Sequence, residues 1–414
     1  MKQKFFTLCL TLLLCSFAGE ALAYDAEVNG IYYIFNGSEA TVTYLLNGTN
    51  NTPAYSGDVV IPESVTHNGT TYKVTAIGHW AFQYCTNLKS VTLPSSVTSF
   101  GNYAFYHCEN LTSYKIPNSI TTVGMYAFSE CSGLQSIDIP NSVTSIGVYA
   151  FQNCTSLASV TIPNSITAIS NYTFTGCSGL KEVFIPSSVT SIGAYAFQKC
   201  TSLASVTIPD GVTSIGNDAF NGCSGLTSVS IPGSVKSLGD RAFSGCSSLT
   251  SVVIPNGVET IGGGAFSLCS SLTEVSIPSS VTKIDNAAFG GGCTNLTTVK
   301  VDIKTPLTIA QYTFYNRKNA TLYVPQGCKA AYQEADYWKE FKQIIENVSA
   351  GADVNKDGET TIADVTALIN ITLGKDDEEP FLYDHECADV NGDGSITIDD
   401  VSALVNIILG KAQN

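Results

Sequence analysis

The fold is decided by the stretch Ile208-Pro209-Asp210-Gly211-Val212-Thr213-Ser214-Ile215-Gly216-Asn217-Asp218-Ala219-Phe220-Asn221-Gly222-Cys223-Ser224-Gly225-Leu226-Thr227-Ser228-Val229-Ser230, after which Ile231-Pro232 begins the same pattern again. Its phenylalanine recurs every 23 residues in ten copies: Phe82, Phe105, Phe128, Phe151, Phe174, Phe197, Phe220, Phe243, Phe266 and Phe289. A fixed period of this size predicts a solenoid. Because one copy cannot bury its own apolar face, neighbouring coils have to stack and share a continuous core.

The apolar spacing within one copy predicts a short strand. Leu226, Val229 and Ile231 read L-x-x-V-x-I, and the V-x-I part has the period of two that places alternate side chains on one face. Pro232 follows and ends the strand, because proline has no N–H for the ladder.

The remainder of the copy predicts a corner and a closing turn. Val235 and Leu238 point inward again at a spacing of three. Gly239 supplies the backbone freedom that a corner needs, and Ala242-Phe243 begin a short helical or 3₁₀ turn that closes the coil. Small Ser, Asn and Thr residues fill the outward positions.

The pattern I-P-x-x-V-x-x-I-G-x-x-A-F-x-x-C-x-x-L-x-x-V resembles the leucine-rich repeats, and most closely the BspA-type repeats of bacterial surface proteins. The resemblance covers roughly 60–65% of the chain. It implies a curved, β-rich, right-handed solenoid of 23-residue repeats, used for binding, over residues 76–301. The asparagine of the common leucine-rich repeat is absent, and proline or a neighbouring polar residue stands there instead.

A solenoid needs caps that cover its apolar ends. Residues 24–75 are predicted to form an N-terminal β cap, with strands at 28–34, 40–45, 59–62 and 72–74, the last two joined by Asn68-Gly69. Residues 302–348 are predicted to form the C-terminal cap, with a final strand at 320–325 and short amphipathic helices over 328–345.

The first 23 residues predict a secreted or cell-surface protein. Lys2 and Lys4 precede an apolar run, and Ala21-Leu22-Ala23 supplies an A-x-A cleavage site, so residues 1–23 are predicted to be a signal peptide. A lipid-anchored alternative at Cys15 would need a small residue before the cysteine, and Leu14 is not small. No later segment is apolar enough to span a bilayer.

Charge and cysteine usage narrow the function further. The net charge of −15 argues against a nucleic-acid partner. Ten of the 14 cysteines recur with the repeat: Cys85, Cys108, Cys131, Cys154, Cys177, Cys200, Cys223, Cys246, Cys269 and Cys293. We expect a ladder of buried, reduced thiols that behave as small apolar side chains. Disulfides between adjacent coils are the alternative, and they would require alternate coils to distort.

The C-terminal residues predict two calcium sites. A linker, Ser349-Ala350-Gly351, precedes two segments that read D-x-N-x-D-G with an aspartate at position twelve. Such spacing turns oxygen ligands toward one hard cation, with glycine at position six for the sharp turn and a backbone carbonyl at position seven. The predicted ligands of two Ca²⁺ ions are Asp353, Asn355, Asp357, Glu359 and Asp364 in the first loop, and Asp389, Asn391, Asp393, Ser395 and Asp400 in the second.

An apolar helix is predicted after each loop, over 365–371 and 401–408. A loop plus one exiting helix, repeated twice with aspartate at position twelve, resembles a type I dockerin module over residues 349–414. Dockerins often carry a Ser-Thr pair just before the closing aspartate, whereas this chain has Ile362-Ala363 and Ile398-Asp399. The resemblance therefore implies a cohesin-like or other protein partner.

One column of the repeat is a candidate binding surface. The residue before the repeat alanine is aromatic in six successive coils: Trp80, Tyr103, Tyr126, Tyr149, Tyr172 and Tyr195. Two interpretations remain open, a structural ring ladder along the coil edge or an interaction stripe on the N-terminal half. The column changes to Asp218 and Arg241 after Tyr195, which favours the second. Another column lies between the inward strand positions; it is mostly polar, with Phe184 and Val253 as exceptions.

The sequence predicts no enzyme. It has four histidines and neither an HExxH nor a GxSxG arrangement. The resemblance implies a secreted or cell-surface binding protein whose solenoid contacts a host or matrix protein or a glycan, while the tail binds calcium and docks to a partner. The alternative is a structural subunit or spacer of an extracellular dockerin–cohesin-type assembly, with a link to polysaccharide.

Overall fold

The computed structural model describes residues 24–44, 54–346, 354, 362–373, 388, 390 and 395–408. The predicted signal peptide, the linker and most of both calcium loops lie outside these residues. The chain divides into two compact units. The first comprises Met1–Val275, Ser280–Leu296 and Ile309–Asn316, and the second comprises Ser276–Ser279, Thr297–Thr308 and Arg317–Asn414.

The N-terminal part of the first unit forms six strands: β1 (Ala26–Val28), β2 (Ile31–Asn36), β3 (Glu39–Val42), β4 (Gly57–Val60), β5 (Ser64–His67) and β6 (Thr70–Ile77). Asn68-Gly69 joins β5 to β6 as an antiparallel hairpin, so the prediction that this turn joins 59–62 to 72–74 was wrong. Strand β4 instead pairs in parallel with the first long strand of the coils. The turn residues serve the nearer pair of strands because a two-residue loop can only reach its neighbour.

Each coil contributes one long strand. These strands are β7 (Leu88–Thr92), β9 (Ser113–Lys115), β11 (Ser136–Asp138), β13 (Ser159–Thr161), β15 (Glu182–Phe184), β17 (Ser205–Thr207), β19 (Ser228–Ser230), β21 (Ser251–Val253), β23 (Glu274–Ile277) and β25 (Thr298–Val301). They are the V-x-I strands of the sequence pattern. Several pair in parallel, as β9 with β11, β13 with β15 and β17 with β19.

A second set of strands, two residues long, was not predicted. It comprises β8 (Ser99–Phe100), β10 (Thr122–Val123), β12 (Ser145–Ile146), β14 (Ala168–Ile169), β16 (Ser191–Ile192), β18 (Ser214–Ile215), β20 (Ser237–Leu238), β22 (Thr260–Ile261) and β24 (Lys283–Ile284). The short strands β8, β10 and β12 continue the cap sheet from β6. The other six short strands, β14, β16, β18, β20, β22 and β24, form a separate parallel sheet. A two-residue strand shows no alternation, so the sequence pattern could not reveal it.

Seven of the nine short strands are followed by a glycine, whereas Ser170 follows β14 and Asp285 follows β24. These glycines allow close approach and do not serve conformational freedom. A Cβ atom on Gly239 would lie 2.6 Å from the backbone nitrogen of Asn217 in the preceding coil. Ser170 occupies the same position in one coil, and there its hydroxyl donates to the Ile146 carbonyl at 2.7 Å. The two sheets of short strands meet at this coil without pairing, since β12 belongs to one and β14 to the other.

The closing segment of each coil is a series of hydrogen-bonded turns between residues three apart, as where the Asn221 N–H donates to the Asp218 carbonyl at 3.1 Å, so the predicted short turn is present without forming a continuous helix. Two residues per coil adopt left-handed dihedrals, for example Asp218 with φ 55° and Gly222 with φ 73°. Such residues interrupt a right-handed helix. The turns of adjacent coils are hydrogen-bonded to each other, as where the Phe220 N–H donates to the Ala242 carbonyl at 2.7 Å.

The core of the first unit is the repeated set of apolar side chains that the period predicts. The ten repeat phenylalanines are completely buried. Their rings stack from coil to coil with centroids 4.9–5.6 Å apart. Offset stacking at this spacing adds to the free energy of apolar burial.

The second unit contains the C-terminal cap. After β25 come a 3₁₀ turn (Arg317–Asn319), β26 (Thr321–Val324), helix α1 (Lys329–Glu334), a 3₁₀ turn (Trp338–Glu340) and β27 (Gln343–Glu346). The final strand is therefore β27 and not the predicted strand at 320–325, because Ile344 and Ile345 pair with β26 instead of continuing a helix. Trp338 is completely buried, and its indole N–H donates to the Leu307 carbonyl at 2.7 Å.

The tail of the second unit forms two helices, α2 (Ile362–Thr372) and α3 (Ile398–Ile408). Both begin three residues earlier than predicted, so the closing aspartate of each loop lies in a first helical turn. The two helices bury one apolar cluster: Val354, Val365, Ala367, Leu368, Ile371, Ala388, Val401 and Leu404.

Candidate functional site

The six aromatic residues of the candidate binding column form one continuous stack, which we call the aromatic ladder (Trp80, Tyr103, Tyr126, Tyr149, Tyr172 and Tyr195). Neighbouring tyrosine rings have centroids 4.4–4.6 Å apart and interplanar angles of 4–18°. Trp80 lies 6.3 Å from Tyr103 at the N-terminal end. All six side chains are half-buried. The structure therefore brings together every residue of this column.

The backbone of the ladder is left-handed at every step. The six residues have φ between 56° and 62°. This conformation is unfavourable for residues with a Cβ, by roughly 1–2 kcal/mol each, and glycine adopts it readily. Gly264 occupies the column in a later coil with φ 64°. The turn itself does not require a ring, so the ring-to-ring contacts have to offset an unfavourable backbone.

The ladder ends in an ion pair whose carboxylate is buried and whose guanidinium is partly exposed. The guanidinium of Arg241 donates two hydrogen bonds to the Asp218 carboxylate, each of 2.9 Å. The Asp218 side chain is 4% exposed and the Arg241 side chain 55% exposed. A buried carboxylate needs such a partner. After Tyr195 the column therefore continues with a charged pair in place of aromatic rings. Because these side chains are paired with each other, the end of the aromatic run is not an independent argument for recognition.

The ladder presents hydroxyl groups that keep their protons. Burial raises the pKa of Tyr126, Tyr149 and Tyr172. The neighbouring Asp218 carboxylate raises the pKa of Tyr195. Because each ring face is covered by the next ring, the exposed parts are ring edges and these neutral hydroxyls. Such a surface suits hydrogen bonding, whereas a sugar or a cation would need an open ring face.

A second aromatic cluster beside the ladder was missed in the sequence. Tyr106 makes edge contacts with Tyr84 and Tyr103, both at 5.5 Å, and with His107 at 4.5 Å. Tyr84 follows its repeat phenylalanine by two residues and Tyr106 by one, so the 23-residue period does not align them. The only sign of this cluster in the sequence is that each tyrosine lies within two residues of a repeat phenylalanine.

The long strands carry few exposed apolar side chains. Phe184 is 63% exposed and Val253 is 67% exposed. Phe184 borders a surface depression of about 450 Å³. Its lining is Glu182, Val183, Phe184, Ile185, Ser205, Thr207 and Pro209. Phe184 and Val253, the two apolar residues in the otherwise polar column of the long strands, are therefore exposed single residues.

The repeat cysteines form the buried thiol ladder that the sequence predicts. All ten are free and buried. From Cys108 onward each thiol donates to the carbonyl of the repeat phenylalanine in the preceding coil, with Sγ to oxygen distances of 3.0–3.4 Å. Burial raises the pKa of Cys85 to about 11 and of Cys223 to about 12. Such thiols are poor nucleophiles, consistent with a packing role.

In the tail, the structure places the closing aspartate of each loop. Asp364 and Asp400 are completely buried in the first turns of α2 and α3. The Asp400 carboxylate accepts a hydrogen bond of 2.8 Å from the Thr397 N–H, and the Thr397 hydroxyl accepts one of 3.2 Å from the Asp399 N–H. This reciprocal pattern caps the helix. The Oδ2 atom of Asp400 is the carboxylate oxygen that this cap uses.

The remaining predicted ligands are only partly placed. Ser395 is exposed and is the first residue of the described segment 395–408. Seven others lie outside the described residues: Asp353, Asn355, Asp357, Glu359, Asp389, Asn391 and Asp393. Buried aspartates at helix N-termini are nevertheless a fitting donor set, because carboxylate oxygens are the ligands that Ca²⁺ prefers.

Comparison with protein families identifies the class of the chain. Residues 63–181, 167–297 and 269–376 match the BspA type leucine rich repeat region. Residues 351–409 match the dockerin type I domain. The chain therefore belongs to the BspA-type leucine-rich repeat family and carries a dockerin type I domain at its C-terminal end. The resemblances inferred from the sequence are confirmed.

Solved structures support the fold. A leucine-rich repeat protein from Bacteroides ovatus ATCC 8483 is 25% identical, with a TM-score of 0.62; the match covers 78% of this chain and 88% of that one. The pneumococcal vaccine antigen PcpA is 18% identical, with a TM-score of 0.52 and coverage of 78% and 98%, and shares the fold. No curated protein matches the sequence.

The two families define the general setting. BspA-type repeats and dockerin domains are typical of extracellular or cell-surface bacterial proteins that take part in protein–protein assembly, and both are typically non-catalytic. Dockerin type I domains bind calcium and imply a cohesin-type partner. Within the described part of the chain, no helix has the length and apolar character needed to cross a membrane.

Proposed function

We propose that this protein is a non-catalytic component of an extracellular assembly, in which the tail binds two calcium ions and docks to a cohesin-like protein while the solenoid binds a second protein. The observation that carries the proposal is the pair of completely buried aspartates, Asp364 and Asp400, at equivalent first-turn positions of two packed helices. Carboxylate oxygens are the ligands that Ca²⁺ prefers, and two buried carboxylates at equivalent positions fit a module that holds two ions.

Each ion would be held by one loop and its closing aspartate. Asp353, Asn355, Asp357 and Asp364 would supply side-chain oxygens to the first ion, and Glu359 would supply its carbonyl. Asp389, Asn391, Asp393 and Asp400 would do the same for the second ion, with the Ser395 carbonyl. The ions would balance the negative charge of the two loops.

The aromatic ladder supports a protein rather than a glycan as the ligand of the solenoid. Sugar rings stack on open aromatic faces, and the ladder faces are covered by neighbouring rings 4.4–4.6 Å away. Tyrosine edges and hydroxyls are enriched at protein interfaces, where one end of the side chain is apolar and the other is polar.

The calcium proposal is tested by titrating Ca²⁺ into the chelator-treated full chain in a calorimeter. We expect two bound ions. Asp364→Asn and Asp400→Asn should each weaken one site tenfold or more, about 1.4 kcal/mol, because each removes a charged ligand from one loop. The matched control is Asp399→Asn, which changes the exposed carboxylate adjacent to Asp400. Equal effects of Asp399→Asn and Asp400→Asn would contradict the assignment.

A second experiment separates binding from a spacer role. The alternative function, a structural spacer, is favoured by the mostly Ser and Thr composition of the long strands. Extracellular protein fractions are passed over the full chain and over a chain that ends at residue 347. A protein retained by both, and lost when Tyr149→Ala and Tyr172→Ala are combined, would support recognition by the solenoid. Capture that always requires the tail would support the spacer.

A further inference from the structure

We propose that the aromatic ladder is the interface of an antiparallel homodimer, so that the second protein bound by the solenoid is another copy of this chain. This inference rests on the proposed function, because it assigns a partner to the protein-binding surface described there. The evidence is the chemistry of the ladder, its constant spacing and the residues at its two ends.

The exposed groups of the ladder are complementary to themselves. A phenol hydroxyl both donates and accepts a hydrogen bond. A row of hydroxyls can therefore pair with an identical row, whereas a row of carboxylates or ammonium groups would repel its own copy. The four tyrosines from Tyr126 to Tyr195 provide four such groups on consecutive coils. Neighbouring hydroxyls also interact along the ladder, and that of Tyr195 interacts with Asp218, so each would pair with the other copy through its remaining hydrogen-bonding capacity.

The constant spacing allows a two-fold axis. The tyrosine rings repeat every 4.4–4.6 Å, so a second ladder running in the opposite direction keeps every ring in register. An axis midway between Tyr149 and Tyr172 places each of them opposite the other in the partner copy. It also places Tyr126 opposite Tyr195. Such an isologous interface closes on itself and gives a dimer rather than a filament.

The same axis makes the two ends of the ladder complementary. Trp80 and Arg241 lie the same number of coils from the axis on opposite sides, and so do Tyr103 and Asp218. The N-terminal aromatic pair of one copy therefore faces the Asp218–Arg241 ion pair of the other. The Arg241 side chain is 55% exposed; Asp218 occupies one edge of its guanidinium, and Tyr195 also interacts with it. The rest of that group can contact an indole through a cation–π interaction.

The size of the surface sets the expected affinity. Five tyrosines at the spacing of adjacent strands extend on the order of 20 Å. A stripe of one such column is smaller than the roughly 800 Å² per partner of a standard stable interface. Half-buried neighbours such as Tyr106, Gln152 and Gln198 would enlarge it. We therefore expect a reversible dimer with a dissociation constant in the micromolar range.

Sedimentation equilibrium of the full chain in calcium-containing buffer tests the dimer. We expect the average mass to rise with concentration from one copy toward two. Combining Tyr149→Phe with Tyr172→Phe keeps the stacked rings and removes the central hydroxyls, so association should weaken tenfold or more while the melting temperature stays the same. The matched control combines Tyr312→Phe with Tyr315→Phe, two exposed tyrosines outside the ladder.

The orientation is tested by crosslinking. A benzoylphenylalanine photo-crosslinker in place of Tyr126 should link to the peptide that contains Tyr195 of the partner copy. Linkage to the peptide that contains Tyr126 would overturn the antiparallel arrangement. A mass of one copy at every concentration, or a dimer insensitive to the Tyr149→Phe and Tyr172→Phe pair, would overturn self-association. If a different captured protein is still lost on the alanine changes, the proposed function stands while this inference fails.

Discussion

Two buried tyrosines differ in whether their hydroxyls have a partner. The Tyr55 hydroxyl donates to the Thr43 carbonyl at 2.6 Å and accepts the Tyr32 N–H at 3.2 Å. The Tyr114 hydroxyl is buried in the coil core without a hydrogen-bond partner among the described residues. A buried polar group that is paired stabilises the fold, whereas an unpaired one is unfavourable by about 1–3 kcal/mol.

The same chemical change should therefore have opposite effects at these two residues. We expect Tyr55→Phe to lower the free energy of unfolding by about 1–3 kcal/mol, because it leaves the Thr43 carbonyl and the Tyr32 N–H without their partner. Tyr114→Phe should leave the free energy of unfolding unchanged or raise it by about 1 kcal/mol. Urea denaturation of the two variants measures the difference, and equal losses would mean that both hydroxyls are paired.

At the scale of one coil, the glycines after the short strands set the distance between backbones. A Cβ on Gly216 would lie 2.5 Å from the Ala194 nitrogen, a contact that only backbone movement can relieve. We expect Gly216→Ala to destabilise the protein by roughly 1–3 kcal/mol, measured by urea denaturation. The control is Gly245→Asn, since Asn153 occupies the equivalent column with φ 55°. Gly245 has φ 73° and no atom nearer than 3.5 Å to its Cβ position, so an equal loss in the control would contradict close approach as the cause at Gly216.

The coil also shows which structural features a sequence can predict. The period, the buried phenylalanines, the thiol ladder and the V-x-I strands all follow from side-chain spacing. The role of Gly239 does not, because a sequence cannot distinguish a glycine needed for its dihedrals from one needed for space. The short strands were missed because Ser237–Leu238 is too brief to alternate.

The candidate site was predicted in part. The sequence grouped the six ladder residues because they share one column. It did not indicate that the Asp218 carboxylate would be buried under Arg241, since that contact depends on side-chain conformation. Nor did it indicate that Asp400 would cap α3 through the Thr397 N–H, because the helix begins three residues before the apolar pattern does.

For the whole molecule, the thiol ladder predicts a loss of stability in alkali. Burial raises the pKa of Cys85 and Cys293 to about 11 and of Cys223 to about 12. An unfolded thiol titrates near about 8.5. The stabilisation is therefore fully present below about pH 8.5, and it is lost as pH rises toward the folded values, by up to about 1.4 kcal/mol per pH unit for each thiol.

Urea denaturation between pH 7.5 and pH 10.5 under reducing conditions checks this expectation. The free energy of unfolding should fall steadily above about pH 9. Cys223→Ala should reduce the slope of the free energy of unfolding against pH by the equivalent of about one proton, whatever it does to stability at neutral pH. Cys328→Ala, at a thiol that is only partly buried, is the control. A slope that is the same in the parent and in Cys223→Ala would contradict the assignment.

The hydrogen bonds between coils have a consequence for how the gene can change. Thr121 Oγ1 donates to the Thr98 carbonyl and Thr144 Oγ1 to the Thr121 carbonyl, each pair 23 residues apart. Each coil thus meets its neighbours through nearly the same bonds, and recombination between similar repeat codons adds or removes whole coils without disturbing those that remain. We expect deletion of residues 251–273 to give a folded, shorter protein by circular dichroism and thermal melting. Deletion of 251–272, one residue fewer, shifts every later column out of phase and should not fold cooperatively.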